Sequence, residues 1–309
     1  MSNYLEKISR GENPFVASEV NELDGEIDPL YELKFGLVFY TAYPPGPKRA
    51  KAVFDLYERL YPNRLRQYVP TVPGSIPDEW TPSMAQAFQT QLLPALRHGP
   101  VWGYGFDDGQ KLDSYLFMFH GYRPVTEKGA ASFFRFEFPW NVEQDEVRRL
   151  AVDVARLIPF ENGFAGYFLK PSIVRAASYD QMYAICQRFW GVEAWNLDVA
   201  VEYVLDGFAD VNWLTFIGES LRSRAPEAVE EAKRVAVSFD ETSHGVVLQA
   251  AERAQLGDRN RQEALPGHVA IAQALLPLQV QTFGSFGGTQ WDEDNSMRYL
   301  RRFTHPDEV

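Results

Sequence analysis

The chain has 309 residues, of which 45% are hydrophobic and 14% aromatic, so it can bury a large core as one domain or as two packed lobes. Its net charge of −12 argues against nucleic-acid binding, which needs a basic surface to neutralise phosphates. No apolar run reaches the ~18 residues of a membrane helix, and a single Cys excludes an intrachain disulfide.

The N-terminal part of the chain changes from a polar to an apolar pattern near residue 31. Residues 1–30 are polar and are predicted to be loosely held. They contain no apolar signal core, so we expect the protein in the cytoplasm. Hydrophobic patterning then predicts a strand at 31–42, a helix at 48–61, a Pro-rich loop at 68–80 and a helix at 81–99. In the last of these, Thr81 is the predicted N-cap, Pro82 the first helical residue, Pro94 a kink and Gly99 the end.

Three aromatic runs predict a set of hairpins in the middle of the chain. The runs lie at 101–108, 114–123 and 132–140, and short polar links between them favour antiparallel pairing. They are followed by an amphipathic helix predicted over 141–160, with Asn141 as its cap, and by a strand over 163–174.

The second half is predicted to be richer in helices. We expect strands at 211–218 and 245–251, and helices at 178–191 (with a Ser or Asp cap), 197–208, 225–238, 266–279 and 294–303. The pattern predicts an α+β fold, with helices packed on a mostly antiparallel sheet. We expect a polar segment at 1–30 and one α+β domain at 31–309. Division of that domain into two similar lobes, at about 31–175 and 176–309, is an alternative.

No catalytic or metal-binding motif stands out. The five His residues are scattered singly, and Cys186 lies among helix-core residues, where we expect a buried structural thiol. We therefore expect no metal and no cofactor. The polar stretch 254–268 has the residue types most typical of a catalytic site, but it contains no nucleophile with a base. We interpret it as a structural loop built on Gly257, Asp258, Asn260 and Arg261, with Arg259 and Arg261 tied to neighbouring carboxylates.

Four segments, in this order, resemble a known family. They are PFENGFAGYF (159–168), DVNWLTFIGESL (210–221), QLGDRNRQEALPGHVAIAQALLPL (255–278) and MRYLRRF (297–303). The chain is similar over residues 30–303 to the bacterial type VI secretion immunity family, whose members are associated with toxins of restriction-endonuclease fold such as the VRR-NUC and Tox-REase classes. The resemblance implies a protein that is not an enzyme and that binds and silences a toxin. Its partner is then a protein rather than a nucleic acid, a membrane or a small-molecule substrate.

Local excess of negative charge suggests where such a toxin would bind. The candidate toxin-binding residues are Glu22, Asp24, Glu26, Asp28, Asp107 and Asp108. A plain solvated surface is the alternative interpretation of each of these carboxylates. For the whole protein, a hydrolase that uses scattered carboxylates and a scaffold with another protein ligand remain alternatives to toxin inhibition.

Overall fold

A twelve-stranded sheet runs through the part of the chain that the structure describes. This structure, a computed structural model, describes residues 4–20, 27–44, 46–70, 78–93, 101–122, 129–171, 176–194 and 196–308. The strands are β1 (Val16–Val20), β2 (Ile27–Thr41), β3 (Gln67–Pro70), β4 (Asp78–Glu79), β5 (Val101–Asp107), β6 (Leu116–Tyr122), β7 (Ser132–Pro139), β8 (Asn162–Pro171), β9 (Val192–Ala194), β10 (Leu214–Gly218), β11 (Ser238–Thr242) and β12 (Gly245–Gln249).

Helices precede, connect and follow these strands. The α-helices are α1 (Tyr4–Ser9), α2 (Pro47–Leu60), α3 (Pro82–Ala87), α4 (Gln144–Leu157), α5 (Ala176–Arg188), α6 (Leu197–Ala200), α7 (Glu219–Arg224), α8 (Pro226–Val235), α9 (Pro266–Leu275) and α10 (Glu293–Leu300). A π-helical turn (Phe88–Leu92) extends α3, and single 3₁₀ turns lie at Arg259–Arg261, Leu276–Leu278 and Pro306–Glu308. None of the described helices is long and apolar enough to span a membrane.

The strand order is β11-β12-β10-β8-β2-β7-β6-β5-β3-β4, with β1 added beside β2 and β9 beside β8. Only the β8–β9 pair is parallel among the described strands. The predicted α+β class with a mostly antiparallel sheet is therefore confirmed. The sheet takes strands from both 31–175 and 176–309, and the division of the chain into lobes stays a prediction.

Alternation along the central strand β2 supplies both faces of the sheet. Phe35, Leu37 and Phe39 lie in the core that α2 and α4 cover. Val38 and Tyr40 lie in a second core, on which α5 and α10 pack. Successive side chains of a strand point to opposite faces, and both faces are covered here, so β2 reads as an almost continuous hydrophobic run. A third, smaller core lies between α8, α9 and the strands β10 and β12.

Several predicted elements differ from the observed ones. Residues 1–30 are not merely a loose segment, because α1 and β1 lie within it and Tyr4 and Phe15 are buried. The predicted loop at 68–80 contains the short strands β3 and β4 at its two ends. These strands lie at one end of the sheet order, beyond β5, and are too short to give a periodic sequence signal.

Helix boundaries were predicted less accurately than helix positions. Thr81 does cap α3, accepting a hydrogen bond from the Met84 amide, but Pro94 and Gly99 lie outside the described residues. Asn141 is not the cap of α4, which begins after Glu143, and the predicted Ser or Asp cap of α5 is wrong because α5 already begins at Ala176. The helix predicted over 197–208 keeps only α6 as α-helix and continues as turns. Strand β11 was missed, since the pattern of α8 was extended into it.

Candidate functional site

Strand β1 and the first residues of β2 form a two-stranded ribbon at one end of β2. Strand β2 pairs with β8 from residue 31 onward and with β7 from residue 34 onward. Among the described strands, β1 is the one that pairs with residues 27–30 of β2. We call residues 16–20 and 27–30 the arm. At its end Val20 lies opposite Ile27, and these side chains are 64% and 58% exposed. Both apolar side chains are therefore accessible from solvent at the end of the arm.

The structure brings part of the predicted acidic set together beside this arm. Asp107 and Asp108 lie where β5 ends, and each accepts a backbone hydrogen bond of the β5–β6 turn, from Gly109 at 2.9 Å and from Gln110 at 3.2 Å respectively. Lys111 of the same turn reaches the arm, with its Nζ 3.3 Å from Asp28 Oδ1. Partial burial raises the pKa of Asp107.

Glu19 is the register partner of Asp28, so these two carboxylates lie on the same face of the arm. We call the arm and the turn 107–113 together the acidic edge. Three other predicted residues, Glu22, Asp24 and Glu26, lie outside the described residues.

A groove of about 310 Å³ separates α1 from these two elements. Its lining includes Lys7 and Glu12 from the N-terminal segment, Glu32 from β2 and Asp113 from the turn. The carboxylate of Glu32 accepts a hydrogen bond from the Asp113 amide at 3.1 Å, which holds the turn against β2. Two of these carboxylates already have cationic partners, since Glu12 pairs with Arg10 and Glu32 with Lys34.

A buried charge network lies beneath the acidic edge. Lys34 is fully buried, and its Nζ donates to the carbonyl and the hydroxyl of Ser114 at 2.6 and 2.8 Å. The same nitrogen lies 3.5 Å from a Glu32 oxygen and 3.8 Å from a Glu137 oxygen. Burial lowers the pKa of Lys34, and the charge of Glu137 opposes this shift. The network fixes the start of β6 on β2, and with it the turn that carries Asp107 and Asp108.

The carboxylate of Glu137 completes this network. It is fully buried and pairs with Arg135 and, at 2.9 Å, with Lys170. Burial alone would raise its pKa, but the surrounding cations outweigh that effect and hold the pKa well below its usual range. These ion pairs with Arg135 and Lys170 anchor the side chain in the sheet.

The loop around Asp258 locks α1 onto α5. Asp258 is fully buried, and its two oxygens accept hydrogen bonds from Arg188 at 2.8 and 2.6 Å and from the Tyr4 hydroxyl at 2.8 Å. These Arg188 bonds lower the pKa of Asp258, and burial raises that of Tyr4 to about 12. Gly257 has a φ of +67°, and a Cβ there would lie 2.6 Å from Leu265 Cδ1. The bidentate partner is thus Arg188, whereas Arg261 lies 3.4 Å from Glu263.

Two of the four segments on which the family resemblance rests, 210–221 and 297–303, meet in a second buried cluster. Arg302, from the last of them, pairs with Asp210 and donates to the Trp190 carbonyl at 2.8 Å. Asn212, from the second segment, donates at 3.0 Å to Glu193 on β9. Burial first, and then Asp210, raises the pKa of Glu193 well above its usual range. All four side chains are buried, and the cluster joins β9, the residues before β10 and the C-terminal segment. Glu193 and Asp210 also line a small cavity, together with Tyr40 and Asn162.

The remaining candidates for chemistry are buried. Cys186 is buried, as predicted, and burial raises the pKa of its thiol to about 12. His268 is buried beside Phe303, and burial lowers its pKa to about 3. Among the described residues, no three His, Cys, Asp or Glu side chains form a group that could hold a metal ion. Sequence reasoning missed the arm itself, although the alternating VASEV of β1 was a signal for it.

Comparison with known proteins gives one family and one fold. A family model, TsiV, described as type VI immunity for VRR-NUC, matches residues 49–303. A solved structure, the Pseudomonas aeruginosa T6SS protein PA0821, is similar with a TM-score of 0.77 and 16% sequence identity, over 100% of this chain and 94% of that chain. At this identity the likeness shows the fold alone. Among curated proteins, none matches this sequence.

Proposed function

This chain belongs to the TsiV family of type VI immunity proteins for VRR-NUC, and we propose that it neutralises its toxin by binding it at a fixed ratio through the acidic edge. The family match over residues 49–303 carries the immunity function. The contact of Lys111 with Asp28 supports the location, because it joins two separately predicted acidic segments into one surface.

Charge supports a nuclease as the partner. A nuclease has to bind phosphates, so its substrate cleft is basic, whereas this chain carries a net charge of −12. Opposite charges on two partners accelerate their association and exclude wrong partners. The carboxylates Asp28, Asp107 and Asp108 would face the basic cleft, and Glu22, Asp24 and Glu26 stay candidates from the sequence alone.

The shape of the acidic edge suits insertion into a cleft. A two-stranded arm is narrow, and the exposed Val20 and Ile27 offer an apolar contact among the carboxylates. Tight interfaces combine a few apolar anchors with a polar rim. The groove beside the arm, with Glu12 and Asp113 in its lining, would take up a Lys or Arg side chain of the toxin. The arm would then inhibit the toxin by occupying the part of its cleft that binds the phosphates of the nucleic-acid substrate.

The proposed inhibition requires no catalysis by this chain. The pair that most resembles a catalytic dyad, Lys34 and Ser114, is buried under the acidic edge and contributes to the fold. We place the protein in the cytoplasm, since that is where a toxin that cuts DNA acts. The remaining loop residues, Gly257, Asp258, Asn260 and Arg261, we propose to be structural.

The first test is formation of the complex. We would express the chain with an inactivated VRR-NUC-type toxin domain encoded beside its gene, co-purify them and measure the affinity by calorimetry. A fixed-ratio complex with a nanomolar or lower Kd is expected, as for other DNase inhibitors. No binding at micromolar concentrations would refute stoichiometric inhibition.

The second test locates the interface by charge reversal. The double substitution Asp28→Lys and Asp108→Lys should weaken binding more than about tenfold at low salt, mainly through slower association. Since the Debye length falls to ~3 Å at 1 M salt, the difference from wild type should shrink there. The control, Glu58→Lys with Glu227→Lys, changes the net charge equally on exposed helical positions. Equal effects of the two pairs would exclude the acidic edge as the specific contact.

A further inference from the structure

One end of the sheet has an open edge. Among the described strands, β11 pairs only with β12, and their register is unbroken over five residues. We call the outer side of β11 the β11 edge. The opposite end of the sheet is protected, because β4 consists of two exposed acidic residues, Asp78 and Glu79. Short, charged edge strands resist pairing with another chain, whereas a longer edge is a template for it.

Two residues of β11 direct their backbone groups away from the sheet. On the far side of β12, the Ala250 amide donates to the Trp213 carbonyl at 2.9 Å. Ladder bonds alternate in side along a strand, so the odd-numbered residues of β12 bond to β11. Their register partners are the even-numbered residues of β11. Phe239 and Glu241 therefore present their N–H and C=O groups at the β11 edge.

The side chains of β11 do little to block this edge. Phe239 is 45% exposed, and Val237, directly before the strand, is 57% exposed. Lys and Pro commonly protect edge strands, and β11 contains neither of them. The carboxylate of Glu241 is neutralised by Lys233, whose Nζ is 2.6 Å away and lies 5.0 Å from the centre of the Phe239 ring. The β11 edge thus combines outward backbone groups with accessible apolar surface.

Local charge indicates which occupant suits the β11 edge. Six charged side chains there form ion pairs with one another, namely Asp240, Glu241 and Glu230 with Arg148, Arg222 and Lys233. The anions and cations of this group are equal in number, although the whole chain carries a net charge of −12. A balanced surface has no electrostatic attraction for the basic cleft of a nuclease, and it does not repel an identical surface. A second copy of this chain is therefore the occupant that the edge suits.

We propose that β11 pairs antiparallel with β11 of a second copy of this chain, across a twofold axis at Asp240. In this register Phe239 of each copy lies opposite Glu241 of the other, so all the outward backbone groups form ladder bonds. Lys233, which lies over Phe239, then approaches Glu241 of the second copy. The two Asp240 side chains face each other, but Arg148 neutralises each of them. The contact is small, so we expect weak dimers with a Kd of about 1–100 µM.

Sedimentation velocity tests whether these dimers form. With the chain alone, the average mass should rise from that of one chain towards that of two as the concentration increases from about 1 to 200 µM. Hydrogen exchange locates the contact, since the amides of Phe239 and Glu241 should gain protection at the higher concentration. A chain that stays monomeric over this range would overturn the proposal.

Matched substitutions identify the contact surface. Phe239→Lys should weaken self-association more than about tenfold, whereas Leu276→Lys, at another exposed apolar residue, should leave it within about threefold. Glu241→Pro and Glu241→Ala both remove the carboxylate, but only the Pro variant loses an outward N–H, and Pro is tolerated on edge strands. The Pro variant should therefore associate more than about tenfold more weakly than the Ala variant. Dimers that none of these substitutions weakens would form through a different surface and refute the assignment.

Toxin binding separates this inference from the proposed function. Phe239→Lys should bind the inactivated toxin domain within about threefold of wild type, because β11 is not part of the acidic edge. If this variant forms no complex while wild type does, the β11 edge accepts the toxin rather than a second copy, and the proposal is wrong. The dimer is measured without toxin, so a failure of wild type to bind the toxin refutes only the proposed function.

Discussion

Substitution of Asp258 by Ala removes a carboxylate that connects three parts of the chain. Its Oδ1 accepts from Arg188 Nε at 2.8 Å and from the Asn260 amide at 3.0 Å. Its Oδ2 accepts from Arg188 Nη2 at 2.6 Å and from the Tyr4 hydroxyl at 2.8 Å. The Ala variant would leave all these donors without their acceptor inside the structure.

The loss in the free energy of unfolding that we expect depends on how exposed Arg188 is. Removing one member of a buried ion pair costs about 3–5 kcal/mol, because the other charge stays buried. Arg188 is 20% exposed, so water solvates its guanidinium in part, and we expect the lower value of about 3 kcal/mol. Tyr4→Phe removes a single hydrogen bond to a charged acceptor and should cost about 1.5 kcal/mol.

Urea denaturation at pH 7, followed by Trp fluorescence, measures both losses. The pKa of Asp258 is lowered in the folded protein, so its contribution is present above the ordinary Asp pKa of about 4 and is lost as the pH falls below that value. The difference in the free energy of unfolding between wild type and Asp258→Ala should therefore become smaller as the pH is lowered. A loss under about 1 kcal/mol at neutral pH, or one no larger than that of Tyr4→Phe, would refute this account of the loop.

Three further substitutions test other parts of the structure. Gly257→Ala should lower the free energy of unfolding by about 1–3 kcal/mol in the same urea experiment, because φ is +67° and the new Cβ would meet Leu265; an unchanged midpoint would contradict this. Glu193 has a raised pKa, so it binds more protons in the folded state, and its contribution to stability declines as pH rises above about 4.5. Glu193→Gln should therefore have a denaturation midpoint that falls less than that of wild type between pH 5 and 8, and a parallel fall would count against the raised pKa. Thr81→Ala should cost about 0.5–2 kcal/mol in a thermal melt by removing the cap bond to Met84, and Thr81→Ser, which keeps the hydroxyl, should stay close to wild type.

Sequence patterns predicted the sheet well where strands are long and buried. Each of the strands β5, β6 and β7 alternates aromatic residues over seven or eight positions, and both hairpin pairings follow from the short links between them. The first residues of the chain were predicted less well. Helix α1 has only six residues, so its periodicity is weak, and it is held by Tyr4 and by contacts with distant Phe189 rather than by its own propensity.

The buried charged residues could not be predicted from the sequence, because their burial depends on tertiary contacts. Lys and Arg are usually exposed, and Lys34 and Arg302 are buried here with charged partners that include Glu137 and Asp210, far along the chain. The proximity of Asp28 to the turn that carries Asp107 and Asp108 was only partly predictable from local charge excess, and the role of these residues in toxin binding stays a prediction. The contact of Lys111 with the arm depends on the order of strands in the sheet. The sequence pattern of a single strand does not contain that order.

Strand β2 belongs to two parts of the molecule at once. Residues 31–41 lie in the middle of the sheet, whereas residues 27–30 form half of the arm. Substitutions in the second part leave the packing of the first untouched, because the arm contributes no side chain to the two large cores. If the acidic edge binds the toxin as proposed, substitutions in the arm can alter recognition while the two large cores keep their packing.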